Sequence, residues 1–307
     1  MERVLFGRGA RGRLVRKIQQ RLNKLGFDPQ GVDGVYGDKT TAAVVAFQQG
    51  NGFQPSGEID VETWEALTGT AIPLVKDRAL EVTAAFEGHD FNLAVGNFDG
   101  AGITWGIIGF TLKDGELSKI ILEIFDQSPN LVEQAFAGKT EELIQIMKAP
   151  KAKQMAFANS ISRGTNKVRL AEPWQSAFQR FGEFEEVQAL QIKRAEQDYF
   201  RPAVHTASKL GLKTELGLAL AFDIHVQNGG IKQSAREEIQ ENLAAHPVTH
   251  EQELRIIVAN AVTDNAKVEF RDDVRSRKLT LATGTGKVHG ATYLLRNWGL
   301  NESSAQI

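Results

Sequence analysis

Apolar residues recur at helical spacing along most of this chain, and the runs are cut by glycine rather than by long polar stretches. Leu14, Ile18, Leu22 and Leu25 share one helix face and stop at Gly26. Leu117, Ile120, Ile121, Ile124 and Phe125 make a full i, i+3, i+4, i+7, i+8 stripe, the mark of a helix packed into a core. Alternating β-type stretches are short. The expected fold is therefore mainly α, with a small β-sheet. At 307 residues the prior is two domains, and no apolar run approaches the ~18 residues of a membrane span. The chain has no cysteine, which excludes disulfides, thiol nucleophiles and cysteine-ligated metals.

The first seventy residues read as three short helices. The first carries the Leu14 stripe. The second starts near Asp38 and turns Ala43, Val44 and Phe47 inward. The third follows Asp60, a side chain suited to capping the segment that buries Val61, Trp64 and Leu67. Between the first two lies the tight loop Gly31–Gly37, whose glycines permit backbone angles other residues resist. Gly69 to Pro73 breaks the pattern. The expected organisation is a module over 1–70, a linker over 71–76 and one larger domain over 77–307.

Charge is uneven. Arg3, Arg8, Arg11, Arg13, Arg16, Lys17, Arg21 and Lys24 crowd the N-terminus, while the whole chain balances at −2. That total excludes the basic footprint of a dedicated nucleic-acid binder. The local run has two readings, a solvated helix face or attraction to an anionic surface such as an outer membrane.

In the larger domain two carboxylates stand out. Residues 74–87 read as a helix ending at Gly88, which puts Glu87 in the last turn. There the negative end of the helix favours the neutral carboxyl that a general acid requires. Asn97–Gly102 reads as a glycine-rich turn feeding a strand over Ile103–Phe110, so Asp99 sits at the turn–strand junction and Thr104 on the strand. An acid and a base flanking one bond is the requirement of glycoside hydrolysis. Gly284–Gly290 fits neither nucleotide-loop spacing and reads as a strand-end turn. His246 and His250 are separated by Pro247, so no metal site is expected, and no cofactor.

Two resemblances follow from these residues. The run from Val15 to Leu67, with Asp33-Gly34-Val35-Tyr36-Gly37, Thr40, Phe47, Gln48, Gly57 and Trp64, resembles the peptidoglycan-binding domain found beside many cell-wall hydrolases. Tyr36 is its candidate ligand contact. Asp99 through Phe110, DGAGITWGIIGF, resembles the catalytic segment of the family 46 chitosanases of the lysozyme-like superfamily.

That resemblance implies a lysozyme-like α+β domain and an inverting mechanism. Glu87 would be the general acid, Asp99 the general base, and Thr104 would hold the attacking water. Glu116 would bind substrate. Asp223 and Arg271 would form a charge network behind the acid. The combined architecture is similar to a modular phage endolysin. It implies a monomeric muramidase acting on peptidoglycan, made in a host cytoplasm without a signal peptide and reaching the wall after release. The alternatives are a chitosanase with a wall-binding module, a lytic transglycosylase using Glu87 alone, or a non-catalytic wall-binding structural protein.

Overall fold

The computed structural model describes residues 3–88 and 90–306. The chain forms two compact units, one of Met1–Phe86 with Gln197–Ile307 and one of Glu87–Glu196. It is mainly helical, with small antiparallel sheets.

The N-terminal part of the first unit contains β1 (Val4–Phe6), α1 (Arg13–Lys24), α2 (Asp38–Gly50), β2 (Ile59–Asp60) and α3 (Val61–Thr68), with β1 antiparallel to β2. The helical stripes bury Leu14, Ile18, Leu22, Val44, Phe47, Trp64 and Leu67 together. The Asp60 carboxylate accepts from Thr63 N at 2.7 Å and caps α3, as its position in the sequence requires. Two buried glutamines pin the turns. Gln19 accepts from Gly34 N at 2.7 Å and donates to the Asp33 carboxylate at 2.8 Å. Gln48 accepts from Gly57 N at 2.9 Å and donates to Glu58 O at 2.8 Å.

Tyr36 is a correction. Its side chain is 1% exposed and its hydroxyl donates to Gly57 O at 2.9 Å. Burial pushes the phenol well above its usual range. It is a packing residue that ties one turn to another, with no surface left to offer glycan. The residue lies between two glycines that fold the loop back, which turns its ring inward.

The basic run is engaged inside its own unit. Arg3 pairs with Glu215, Arg8 with Asp38, and Arg13 with both Asp77 and Glu81. Arg21 donates to Thr68 O, and the Lys17 ammonium sits 5.2 Å from the Trp64 ring centre. Most of the charge is thus spent on neighbours rather than left as an open cationic face.

Helix α4 (Val75–Glu87) follows. The 71–76 segment is pinned at two carbonyls, with Trp64 Nε1 donating to Ala71 O and Arg78 Nε to Pro73 O, each at 3.0 Å. Glu81 of α4 is buried against the N-terminus of α1, beside Arg13 at 2.8 Å and Leu14 N at 3.5 Å. Burial pushes its carboxyl up to about 7, with Arg13 opposing.

The second unit carries a three-stranded antiparallel sheet of β3 (Ala94–Val95), β4 (Thr104–Trp105) and β5 (Phe110–Thr111), with β4 central. Helices α5 (Glu116–Gln127), α6 (Pro129–Ala135), α7 (Thr140–Lys148) and α8 (Lys151–Ile161) lead to a hairpin of β6 (Ser162–Arg163) and β7 (Arg169–Leu170). Then come α9 (Trp174–Glu183) and α10 (Glu185–Ala195). Its core is aromatic: Trp105 stacks on Phe181 at 5.4 Å, and Phe136 meets Phe178 edge-on at 5.0 Å. Truncating any of these rings to alanine would cost about 3–5 kcal/mol.

A π-turn over Glu196–Phe200 leads into α11 (Arg201–Leu210), α12 (Glu215–Asn228), α13 (Gln233–Ala245), α14 (Glu251–Asp264) and α15 (Arg271–Thr283). A hairpin of β8 (Thr285–Val288) and β9 (Ala291–Leu294) follows. This return half packs on the N-terminal part of its unit. Gly7 N donates to Asn297 O at 3.0 Å, and the buried Arg78 guanidinium binds Glu215 at 2.7 Å. The N-terminal module and the C-terminal helices therefore share one packed body.

Candidate active site

Glu87 is the last residue of α4, and Gly88 leaves the helix at φ 65, the left-handed conformation that glycine supplies without steric cost. Its side chain is half-buried. Asp99 sits in the turn before β4, exposed, with its Oδ1 accepting from Ala101 N at 2.9 Å. Among the described residues that is the hydrogen bond its carboxylate makes.

The turn is braced by Asn97. Its backbone N–H donates to Ser162 Oγ at 2.9 Å, its Oδ1 accepts from Gly102 N at 2.8 Å, and its Nδ2 donates to Asn159 Oδ1 at 2.8 Å. Gly96 runs so close to the β6–β7 hairpin that a Cβ would lie 2.4 Å from Lys167 O. The hairpin and α8 thus set where Asp99 is presented. Nothing in the local Asp-Gly pattern reveals this, because Ser162 and Asn159 lie more than sixty residues further along the chain.

Thr104 and Trp105 alternate across β4. Trp105 is fully buried and donates to Phe178 O at 2.9 Å, so Thr104 takes the opposite, half-exposed face. Gln191 of α10 closes the next turn, accepting from Ile107 N at 2.9 Å and donating to Phe91 O at 3.0 Å. Glu116 opens α5, and its carboxylate accepts from Thr111 N at 3.2 Å. Thr111 Oγ1 donates to Asp114 at 2.7 Å. The structure therefore brings Asp99, Thr104 and Glu116 to one small sheet and its turns.

Asp223 of α12 lies in the other unit, 0% exposed. Arg277 Nη2 binds its Oδ1 at 2.6 Å, Lys278 Nζ its Oδ2 at 2.5 Å, and Thr83 Oγ1 donates at 3.2 Å. Burial alone would push its carboxyl up, but the Arg277 and Lys278 cations outweigh that and hold it down at about 2.

The expected partner Arg271 is a second correction. It opens α15 and donates to Asp264 O at 2.8 Å and Ala266 O at 3.3 Å, tying α15 to the end of α14. Arg277 is the arginine that pairs with Asp223, and its guanidinium lies 5.5 Å from the Phe86 ring centre. Six positions rotate a helix by about 240°, so the two arginines face different sides. The register was legible: Val274, Arg277, Lys278 and Leu281 occupy the buried stripe of α15.

Residues 11–67 match the peptidoglycan binding domain family, and residues 83–253 match glycosyl hydrolase family 46. The latter spans both carboxylates and more than half of the chain. The chain belongs to glycosyl hydrolase family 46. Its class is accordingly glycoside hydrolase. A chitosanase of Bacillus subtilis (strain 168) is 27% identical over 159 residues, 50% of this chain and 51% of that protein. The chain thus aligns with about half the length of that curated relative.

A mutant chitosanase of Bacillus subtilis MY002 complexed with 6 GlcN shares the fold, with TM-score 0.51 and 18% identity over 72% of this chain and 95% of that one. A Gynuella sunshinyii family 46 chitosanase complexed with chitotetraose gives TM-score 0.49 and 18% identity, covering 73% and 98%.

Proposed function

We propose that this family 46 member hydrolyses a glucosamine-rich β-glycan of the chitosan type, with inversion. Glu87 protonates the leaving oxygen, and Asp99 removes a proton from a water that Thr104 helps to hold. The observation that carries this is the pairing of a helix-terminal Glu87 with an exposed, braced Asp99 inside the segment that matches the family. The named relative is a chitosanase, which favours chitosan over the muramidase expectation. Asp99, Asp114 and Glu116 add carboxylates to the turns of one sheet, a suitable setting for a polycationic substrate.

A second reading, cleavage of the peptidoglycan backbone, is favoured by the N-terminal match over residues 11–67. Action on the wall after release from a lysing host belongs to that reading. Product analysis separates them. The intact protein is incubated with chitosan and with purified sacculi, and released sugars are identified by mass spectrometry, with anomeric NMR on the first product. Glucosamine reducing ends of inverted configuration from chitosan are expected. Muramic-acid reducing ends from sacculi, with none from chitosan, would replace the first reading by the second. Binding without products from either would leave a non-catalytic wall protein.

A further inference from the structure

The hairpin that follows α15 ends in a two-residue loop, His289-Gly290, between Val288 and Ala291. Both residues have positive φ, 48 and 81, the pattern of a type I′ turn. Asparagine is the natural occupant of the first position, and a left-handed histidine is a costlier choice. The histidine is used. Its Nδ1 lies 2.9 Å from Phe86 O and its Nε2 2.5 Å from Asp273 Oδ1. Phe86 O and the Asp273 carboxylate are both acceptors, so the ring bridges the end of α4 and α15.

Phe86 O is one of the last carbonyls of α4, which have no partner within the helix. Its neighbour Ala85 O accepts from Tyr293 Oη on the same hairpin at 3.2 Å, and the Tyr293 ring meets Phe86 edge-on at 4.8 Å. The hairpin therefore caps the final turn of α4 twice, at the two residues before Glu87. The cap is itself anchored. Gln227 donates to the second oxygen of Asp273 at 2.5 Å and accepts from Lys278 at 2.6 Å, and Lys278 binds the buried Asp223. The charged groups around the ring are thus Asp273 of α15 directly, and Lys278, Arg277 and Asp223 through Gln227 and Phe86.

We infer that His289 is a positioning residue for catalysis: with Tyr293 it caps the C-terminal carbonyls of α4 and so fixes the backbone that carries Glu87. The inference rests on the reading of Glu87 as general acid. His289 is 58% exposed on its side chain, so substitution leaves the core intact.

The deciding variant is His289→Asn, which suits the left-handed turn better but cannot span from Phe86 O to Asp273. The full chain is assayed on soluble glucosamine oligomers beside Glu87→Gln and Tyr293→Phe. His289→Asn is expected to lower kcat roughly five- to tenfold with KM within about twofold and Tm equal or higher, since small misplacements of a catalytic group are costly. Tyr293→Phe should show a smaller loss of the same kind. A kcat within about twofold of the parent in His289→Asn overturns the inference. Full turnover in Glu87→Gln would instead overturn the reading of the acid. Amide hydrogen exchange over residues 84–88 tests the cap without chemistry: faster exchange in His289→Asn is expected, and unchanged exchange counts against the cap.

Discussion

Two Asp-Gly turns in this molecule look alike in the sequence and do different work. Asp33-Gly34 and Asp99-Gly100 share the same local geometry, with the aspartate Oδ1 accepting from the amide two residues on, at 2.8 and 2.9 Å. They part at the next contact. Gln19 reaches across from α1 to donate to Asp33, which lowers that carboxyl below its usual range, and Tyr36 closes the turn from inside. The turn at Asp99 is braced from behind, through Asn97, Ser162 and Asn159, while the carboxylate itself faces outward. An Asx turn is local chemistry. Whether it holds a fold together or presents an open carboxylate depends on what the rest of the chain places around it.

The largest effect that can break this contrast is on turnover. Asp99→Asn should cut chitosan hydrolysis by roughly 10²–10⁴ with little change in Tm, whereas Asp33→Asn should leave kcat near the parent value. Similar turnover losses from the two substitutions would erase the distinction. Next is the buried aspartate. Removing the charge of Asp223 leaves Arg277 and Lys278 facing each other in the core, so Asp223→Asn should destabilise by about 3–5 kcal/mol in urea titration.

The pH dependence of stability sharpens the same point. Asp223, depressed to about 2, contributes stability above its unfolded value, and this is lost as pH falls through about 2. Glu81 has the opposite sign. Raised to about 7, it favours the fold most below its unfolded value near 4.5, and that contribution fades as pH rises through about 7. Glu81→Gln should flatten stability between pH 5 and 8 by an amount on the order of 2–3 kcal/mol, measured by denaturant titration across that range. The smallest effect is at Tyr36. Tyr36→Phe should cost about 1–2 kcal/mol, through the unpaired Gly57 carbonyl, and leave sacculus binding unchanged. Weakened binding at full stability would return Tyr36 to the ligand surface.

How much could be read without the structure divides along the same line. Helix stripes, the Asp60 cap and the end of α4 at Glu87 were all legible, because each is set by neighbours a few residues away; the single strand expected over Ile103–Phe110 is instead two short strands, Thr104–Trp105 and Phe110–Thr111, paired across a turn. Tyr36 was misplaced because a turn residue's direction depends on which elements fold over it. Arg271 was misplaced by six positions, although the buried stripe of α15 carried Arg277 and Lys278 in plain view. Asn97, Gln191 and His289 gave no local sign of their roles, since their partners lie tens to hundreds of residues away in sequence.

The sequence by itself determined the helical architecture, the two carboxylates and the family they belong to. These follow from apolar periodicity, glycine placement and a short uninterrupted motif. Tertiary structure decided which Asp-Gly turn is a brace and which presents an exposed carboxylate. It also decided which arginine neutralises Asp223, and what holds the end of α4. The physical reason is that burial and hydrogen-bond partnership are properties of the packed chain: a carboxylate or an imidazole acquires its role from groups that only folding brings within three ångströms or so.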